Sequence, residues 1–384
     1  MKIPPEPGRH SSGFLLVTLI GRPNAGKSTL VNAIAGWKVS ITSSRPSTTR
    51  RSHYARKDLG ELEIIFVDTP GMHQPKSELG KKMVRHAEEA LDGADVIMPV
   101  FDASRPATQG DRIVMASAMK ELAASRGRSC ALRIVANKID KISKVSTVQA
   151  LASYYNLAKD TAESIAKGLD GHAPQDTAKG TASHAPQDTA KAAADVVPSV
   201  PSVPSVISQY DIEIFPVSAL KGTGVTELME SLAYSGSSPT LQPAIEQTSA
   251  YRPTSRSATR SDVMHSLPPV FQEWDTLQSL LPDISQEYYV AELVREQVLR
   301  RVADELPYSV ACRIAEWRPP YIACDIVVER KSQKAIILGK GGTRLRDIGI
   351  GARSSLPAGT YLDLAVKVVP HWQDTPEMFE QMGY

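Results

Sequence analysis

The chain of 384 residues has three cysteines, Cys130, Cys312 and Cys324, and no two of them are spaced as a metal-binding or redox pair. That excludes a disulfide framework and a structural zinc site, and it fits a reducing compartment. Long hydrophobic runs are missing too. The longest early one, Phe14–Ile20, is too short to span a bilayer. It is followed by a glycine-rich loop and no small-residue cleavage site, so it reads as a buried strand and not as a signal-peptide core. A surplus of one charge is also absent, with 44 Lys and Arg against 42 Asp and Glu. A bulk polycation that coats nucleic acid is thereby excluded, although a local basic patch is not. Aromatics are scarce at 6%, whereas there are 27 prolines and 24 glycines, so part of the length is expected to lie outside any packed core.

What is present suits two to three domains. Phe14–Ile20, Leu62–Asp68, Asp95–Phe101, Leu132–Asn137 and Ile212–Val217 are short apolar runs of the kind a parallel sheet covered on both faces requires. Helical patterns lie between them at Lys27–Ala35, Ser77–Leu91, Asp111–Ser125 and Val145–Lys167. This alternation predicts a doubly wound α/β domain over 14–235, behind a flexible tail at 1–13. Two stretches break the pattern. Within about 170–208 the octapeptide His-Ala-Pro-Gln-Asp-Thr-Ala-Lys occurs twice and Pro-Ser-Val three times, a low-complexity insertion. Residues 236–282 are rich in Ser, Thr and Pro and read as a linker, with local packing expected around Phe271 and Trp274. From 283 to 384 the order is α-β-β-α-α-β. Its first helix, Tyr288–Val302, is amphipathic, with Val290, Leu293, Val294, Val298 and Val302 on one face.

The chemistry begins at the phosphate loop. Gly21-Arg-Pro-Asn-Ala-Gly26-Lys27-Ser28 matches GxxxxGK followed by Ser or Thr, between a predicted strand and a predicted helix. Gly21, Asn24, Ala25, Gly26, Lys27, Ser28 and Thr29 are the expected phosphate contacts: backbone N–H groups and a helix N-terminus face the anion. Lys27 would neutralise the β- and γ-phosphates and Ser28 would bind Mg²⁺. Asp68-Thr-Pro-Gly71 closes the next run as DxxG, where Asp68 can hold Mg²⁺ through a water and the Gly71 N–H can sense the γ-phosphate. Asn137, Lys138 and Asp140 form NKxD, and the Asp140 carboxylate matches the paired donors of guanine, which adenine lacks. Ser218, Ala219 and Leu220 follow the last run, and the Ala219 N–H is the expected donor to guanine O6. The order of these motifs favours GTP over ATP.

With these residues in place the chain resembles the bacterial Era family of GTPases. The likeness is carried by GRPNAGKST, Ser-Thr-Thr-Arg at 47–50, DTPGMH, NKID, SAL, ELPYSV at 305–310, and the run from Gln333 to Arg353 with GKGG and IGIGAR. It implies an α/β P-loop GTPase domain followed by an α+β type II KH domain. It also implies GTP and GDP as ligands, binding near the 3′ end of 16S ribosomal RNA, and a role in assembly of the small (30S) ribosomal subunit. The Thr before Arg that reaches Mg²⁺ in such families matches Thr49, with Thr48 as the fallback. The catalytic set is thus Lys27, Thr49, Asp68 and Gly71. Asn24 resembles the residue that holds K⁺ in some related GTPases. Position 72 is Met, and a thioether cannot orient a water, so slow intrinsic hydrolysis is expected; His73 reads as part of a mobile switch and not as a general base. A cytoplasmic monomer is expected, and peripheral association with the inner face of the cell membrane stays open.

Residues 283–384 hold 13 Lys and Arg against 14 Asp and Glu, so their total charge gives no hint of RNA. Within 330–353, however, seven cations face only Asp347. They surround Gly339-Lys340-Gly341-Gly342, a GxxG loop between two helices, and Lys334, Arg344 and Arg346 complete the expected RNA-binding set. Ile336, Ile337 and Ile348 are the expected helix core, with one wall of a base-binding groove. A non-catalytic RNA-binding scaffold that uses GTP as a structural ligand is the alternative to a GTP-hydrolysing enzyme.

Overall fold

A computed structural model of the protein describes residues 14–43, 48–59, 62–72, 77–125, 130–166, 210–236, 274, 284–302, 309–374, 376–382 and 384. The tail, the repeat insertion and most of the linker, including Phe271, lie outside these residues. Trp274 does not: its ring meets that of Trp317 edge to face, with centroids 5.1 Å apart.

The first unit carries β1 (Phe14–Ile20), α1 (Lys27–Ala35), β2 (His53–Asp58), β3 (Glu63–Asp68), α2 (Glu78–Glu89) and β4 (Val96–Asp102). Then come α3 (Gln109–Ala124), β5 (Ala131–Asn137), α4 (Lys144–Ala166), β6 (Asp211–Val217) and α5 (Val225–Gly236). The strand order is β2-β3-β1-β4-β5-β6. Continuous apolar runs such as FLLVTLI fill the centre because both faces are covered. Leu30, Ile34, Leu228 and Leu232 of α1 and α5 cover one face. Met115, Ala118, Tyr154 and Leu157 of α3 and α4 cover the other. The sheet is mixed, not purely parallel as the sequence suggests, because β2 runs antiparallel to β3 at the edge. Only alternate residues of β2 are buried, so HYARKD gives no apolar run. Helix α5 is a second addition to the expected elements. Since β1, β3, β5 and β6 are parallel, their carboxyl ends share one edge, and every nucleotide motif sits there.

The second unit carries α6 (Gln286–Arg301), β7 (Ala311–Arg318), β8 (Tyr321–Val328), α7 (Lys331–Leu338), α8 (Thr343–Arg353), β9 (Tyr361–Val368) and a further short helix, α9 (Pro376–Gln381). Strand β8 pairs antiparallel with β7 and parallel with β9. Ser285 caps α6 by accepting from Tyr288 N, and Arg300 and Arg301 complement its C-terminal dipole. The five expected apolar positions of α6 are buried, and so are Glu292, Arg295, Glu296 and Gln297. The helix is therefore not amphipathic towards water: its polar face is covered by the first unit. Ile337 and Ile348 join the core, while Ile336 is exposed and is not a core residue.

Trp372 is fully buried and its indole N–H donates to the Ser309 carbonyl at 3.0 Å. Trp372→Ala is expected to cost about 3–5 kcal/mol, seen as a lower urea midpoint by circular dichroism, whereas an unchanged midpoint would contradict this packing.

Candidate functional site

The phosphate loop connects β1 to α1, and α1 starts at Lys27 with no acidic residue in its first turn. Its positive dipole end is therefore uncompensated by side chains, as an anion site requires. Gly26 has φ +100°, and a Cβ there would stand 2.2 Å from Asn137 Nδ2, so only glycine fits. Lys27 is buried and its ammonium donates to the Gly21 and Arg22 carbonyls at 3.0 and 3.3 Å. Burial pulls its pKa down to about 8, against the opposing pull of Asp68. The loop lines a cleft with Asn24, Gly26, Lys27, Ser28 and Thr29 on one side. Thr42, Ser43, Thr48 and Thr49 line the other, with Gly71. The motifs in the sequence do not single out Thr42 or Ser43.

Ser28 Oγ and Thr49 Oγ1 are 2.8 Å apart, and Thr49 Oγ1 lies 3.5 Å from Asp68 Oδ2. Thr48 instead meets Ser43 at 3.0 Å, so geometry separates the two threonines. Asp68 is fully buried and its Oδ1 has no hydrogen-bond partner among the described residues. Two hydroxyls and an unsatisfied buried carboxylate form a hard-oxygen donor set that fits Mg²⁺. Met72 is buried, and its backbone N–H donates to Gly21 O at 3.0 Å. His73 lies outside the described residues.

Asn137 ties the base-reading loops to the phosphate loop. Its Nδ2 donates to Ala25 O at 3.0 Å, while Oδ1 accepts from Lys138 N at 2.8 Å and Ala219 N at 3.0 Å. The Ala219 N–H, the expected donor to guanine O6, thus lies at this latch, where it meets Asn137. Lys138 adopts a left-handed φ of 67°. Its ammonium bridges Asn24 O at 2.5 Å and Asp102 Oδ2 at 2.7 Å. Burial alone would raise the Asp102 carboxyl, but this ammonium and Ser104 hold it below the usual range. Ser218 Oγ donates to Asp140 Oδ1 at 2.7 Å, orienting the carboxylate. Leu220 is exposed beside it.

A contact that the motifs do not announce joins the two units. The segment that carries Thr49 packs on α6 and the end of the chain. Arg295 donates to the Thr48 carbonyl, and Glu296 accepts from Thr42 N at 3.0 Å and pairs with Lys38. Tyr289 Oη donates to Lys38 O at 2.7 Å. The Arg50 guanidinium lies over the rings of Tyr384 and Trp372, 5.0 and 5.3 Å from their centroids. Burial lowers the pKa of His53, which stands edge-on to Tyr288. Burial would raise the Glu292 carboxyl, but the adjacent Arg295 keeps it below the ordinary value.

On the second unit, Lys340 and Arg346 are exposed, and Lys334 and Arg344 are half-buried. Gly339, Gly341 and Gly342 all have positive φ, which bends the loop between α7 and α8. Arg344 is partly engaged, since it donates to the Ile336 carbonyl. Among the described residues no helix is long and apolar enough to cross a membrane, and no cluster of three His, Cys, Asp or Glu could hold a metal.

Two family models match: "50S ribosome-binding GTPase" at residues 16–138 and "KH domain" at residues 305–373. GTPase Era of Mycobacterium tuberculosis is 33% identical over 387 residues, covering 97% of this chain and 98% of that protein. GTPase Era of Mycobacterium avium is 32% identical, with the same coverage. Among solved structures, Era in complex with MgGDPNP and nucleotides 1506–1542 of 16S ribosomal RNA superposes with a TM-score of 0.64 and 29% identity, over 97% of this chain and 99% of that one. A variant of Aquifex aeolicus Era bound to GDP and aluminium fluoride gives 0.64 and 28%, with the same coverage. The phosphate loop, the guanine-reading motifs and the GKGG loop therefore stand in one chain that belongs to the Era family of GTPases.

Proposed function

We propose that this protein binds 16S ribosomal RNA near its 3′ end in its GTP state. It then acts in assembly of the small (30S) subunit, and hydrolysis changes its hold on the RNA. The observation that carries this reading is the shared segment: Thr49 meets Ser28 at 2.8 Å while its neighbour Thr48 is held by Arg295 of the RNA-binding unit. Residues 14–235 are the GTPase domain, with the insertion at 170–208, and 283–384 the KH domain, joined by 236–282. The protein works as a cytoplasmic monomer, with peripheral contact at the inner membrane face as a further location open to it.

In this reading Lys27 and the N–H groups of Gly21–Thr29 hold the phosphates, and Asp140, set by Ser218, reads the guanine. Ser28, Thr49 and, through a water, Asp68 would hold Mg²⁺, which when bound neutralises charge on the β- and γ-phosphates. The Gly71 N–H senses the γ-phosphate. No side chain at position 72 can aim the attacking water, so the intrinsic rate is slow and backbone groups or a partner place it. Lys334, Lys340, Arg344, Arg346 and the glycines 339, 341 and 342 clamp the RNA backbone. Retention of Lys27, Ser28, Asp68 and Thr49 supports an enzyme over a scaffold.

Four outcomes are expected. Multiple-turnover phosphate release should be slow alone and faster with a 16S 3′-end oligonucleotide. Lys340→Asp with Gly341→Asp should abolish binding of that oligonucleotide and spare basal turnover; undiminished binding would refute the RNA site. Triphosphate binding should raise the Lys27 pKa from about 8, so binding takes up a proton above pH 8. GTP affinity should then be flat below pH 8 and fall above it by up to about tenfold per pH unit, measured by calorimetry in buffers of different ionisation enthalpy. Finally, if Asn24 holds K⁺, turnover is faster in KCl than in NaCl, and equal rates remove that role.

A further inference from the structure

The buried polar face of α6 is a costly thing to build. Glu292, Arg295 and Glu296 are each 2% exposed or less, and buried charges are tolerated only with full partners. The Arg295 Nε and Nη2 donate to Glu292 Oε1 and Oε2, which fixes the guanidinium plane, and the same Nη2 donates to the Thr48 carbonyl. Tyr384 Oη donates to the same Glu292 oxygen at 3.2 Å. One helical turn on, Glu296 takes Thr42 N and Lys38. The partners of these three charges thus include backbone groups of the nucleotide-side segment, placed on both sides of its central part. A carbonyl held from outside fixes the peptide plane that Thr48 shares with Thr49. The next side chain then points inward, where Thr49 Oγ1 reaches Ser28 and Asp68.

We propose that Arg295, braced by Glu292, is the positioning residue for Thr49, so that the KH unit stabilises in cis the segment conformation required for GTP. This deepens the nucleotide-switch reading above and rests on it. Arg295 touches neither nucleotide nor metal; it acts through Thr48. Since GDP lacks the γ-phosphate, the device distinguishes the two nucleotides, and by linkage whatever docking adds to GTP affinity, GTP adds to docking.

The test uses the full chain without RNA. Arg295→Met with Glu292→Gln removes the pair together, so that neither partner is left buried without the other. It should weaken a non-hydrolysable GTP analogue about tenfold and GDP by less than about twofold, a selective change within the usual coupling range. The Mg²⁺ concentration for half-maximal turnover should rise with it. Arg295→Lys keeps the charge but not the fork that serves Glu292 and Thr48 at once, so it should give the same selective loss in smaller measure. That variant decides the matter if the double variant fails to bind GDP. Equal weakening of both nucleotides, or none, in Arg295→Lys overturns the proposal. Failure of the RNA reading would look different: the wild-type chain would bind the 16S oligonucleotide equally with either nucleotide, while the effect of Arg295 on the analogue-to-GDP ratio persisted.

Discussion

The buried pair of Glu292 and Arg295 is the constraint around which the two units are arranged. Neither charge reaches water, and neither would be stable there without the other and without a further acceptor for the guanidinium. That acceptor is the Thr48 carbonyl. Once it is supplied, Thr49 is oriented towards Ser28, and Arg50 is delivered between Trp372 and Tyr384. The nucleotide cleft and the Arg295 end of the covered face of α6 are therefore two sides of a single segment, residues 48–53, while Glu296 takes its partners earlier, at Lys38 and Thr42.

Two polar latches meet near the nucleotide cleft, and they differ in kind. Asn137 bonds to Ala25, Lys138 and Ala219 within one sheet edge, all neutral amide contacts anchored on parallel strands. Nothing in that latch gains by opening. The α6 latch is built of ions that would be well solvated if the units parted. An interface meant to stay closed buries apolar surface, whereas one that separates is more polar. The α6 contact is of the second kind, but beside it Leu79 and Met83 of α2 share a buried apolar cluster with Trp372, Phe379 and Met382, so the two units also meet through surface of the first kind.

The nucleotide motifs were legible because they are local: a glycine loop after an apolar strand, DxxG and NKxD at strand ends. The GKGG loop was legible because seven cations crowd it, although the unit's total charge conceals them. Strand β2 was not, since an edge strand with one wet face reads as HYARKD. Helix α6 misleads in a different way. Its glutamates and arginine look like a solvent face, because polar periodicity reports what a face is made of and not what covers it. The choice between Thr48 and Thr49 and the engagement of Ala219 by Asn137 depend on contacts between loops far apart in sequence. No spacing rule encodes them.

The same helix that holds Lys38, Thr42 and Thr48 is packed on the helix that follows the GKGG loop. Gln297 and Arg301 of α6 lie where a Cβ at Gly351 of α8 would stand, within 2.3 and 2.8 Å. Both atoms are the far ends of flexible side chains that can swing aside, so the contact between the helices rests on their apolar residues. Ile348, buried in the same cluster as Val294 and Val298, extends the contact along α8. The segment that carries Thr49 and the loop that carries Lys340 are thus joined through two helices that pack on each other.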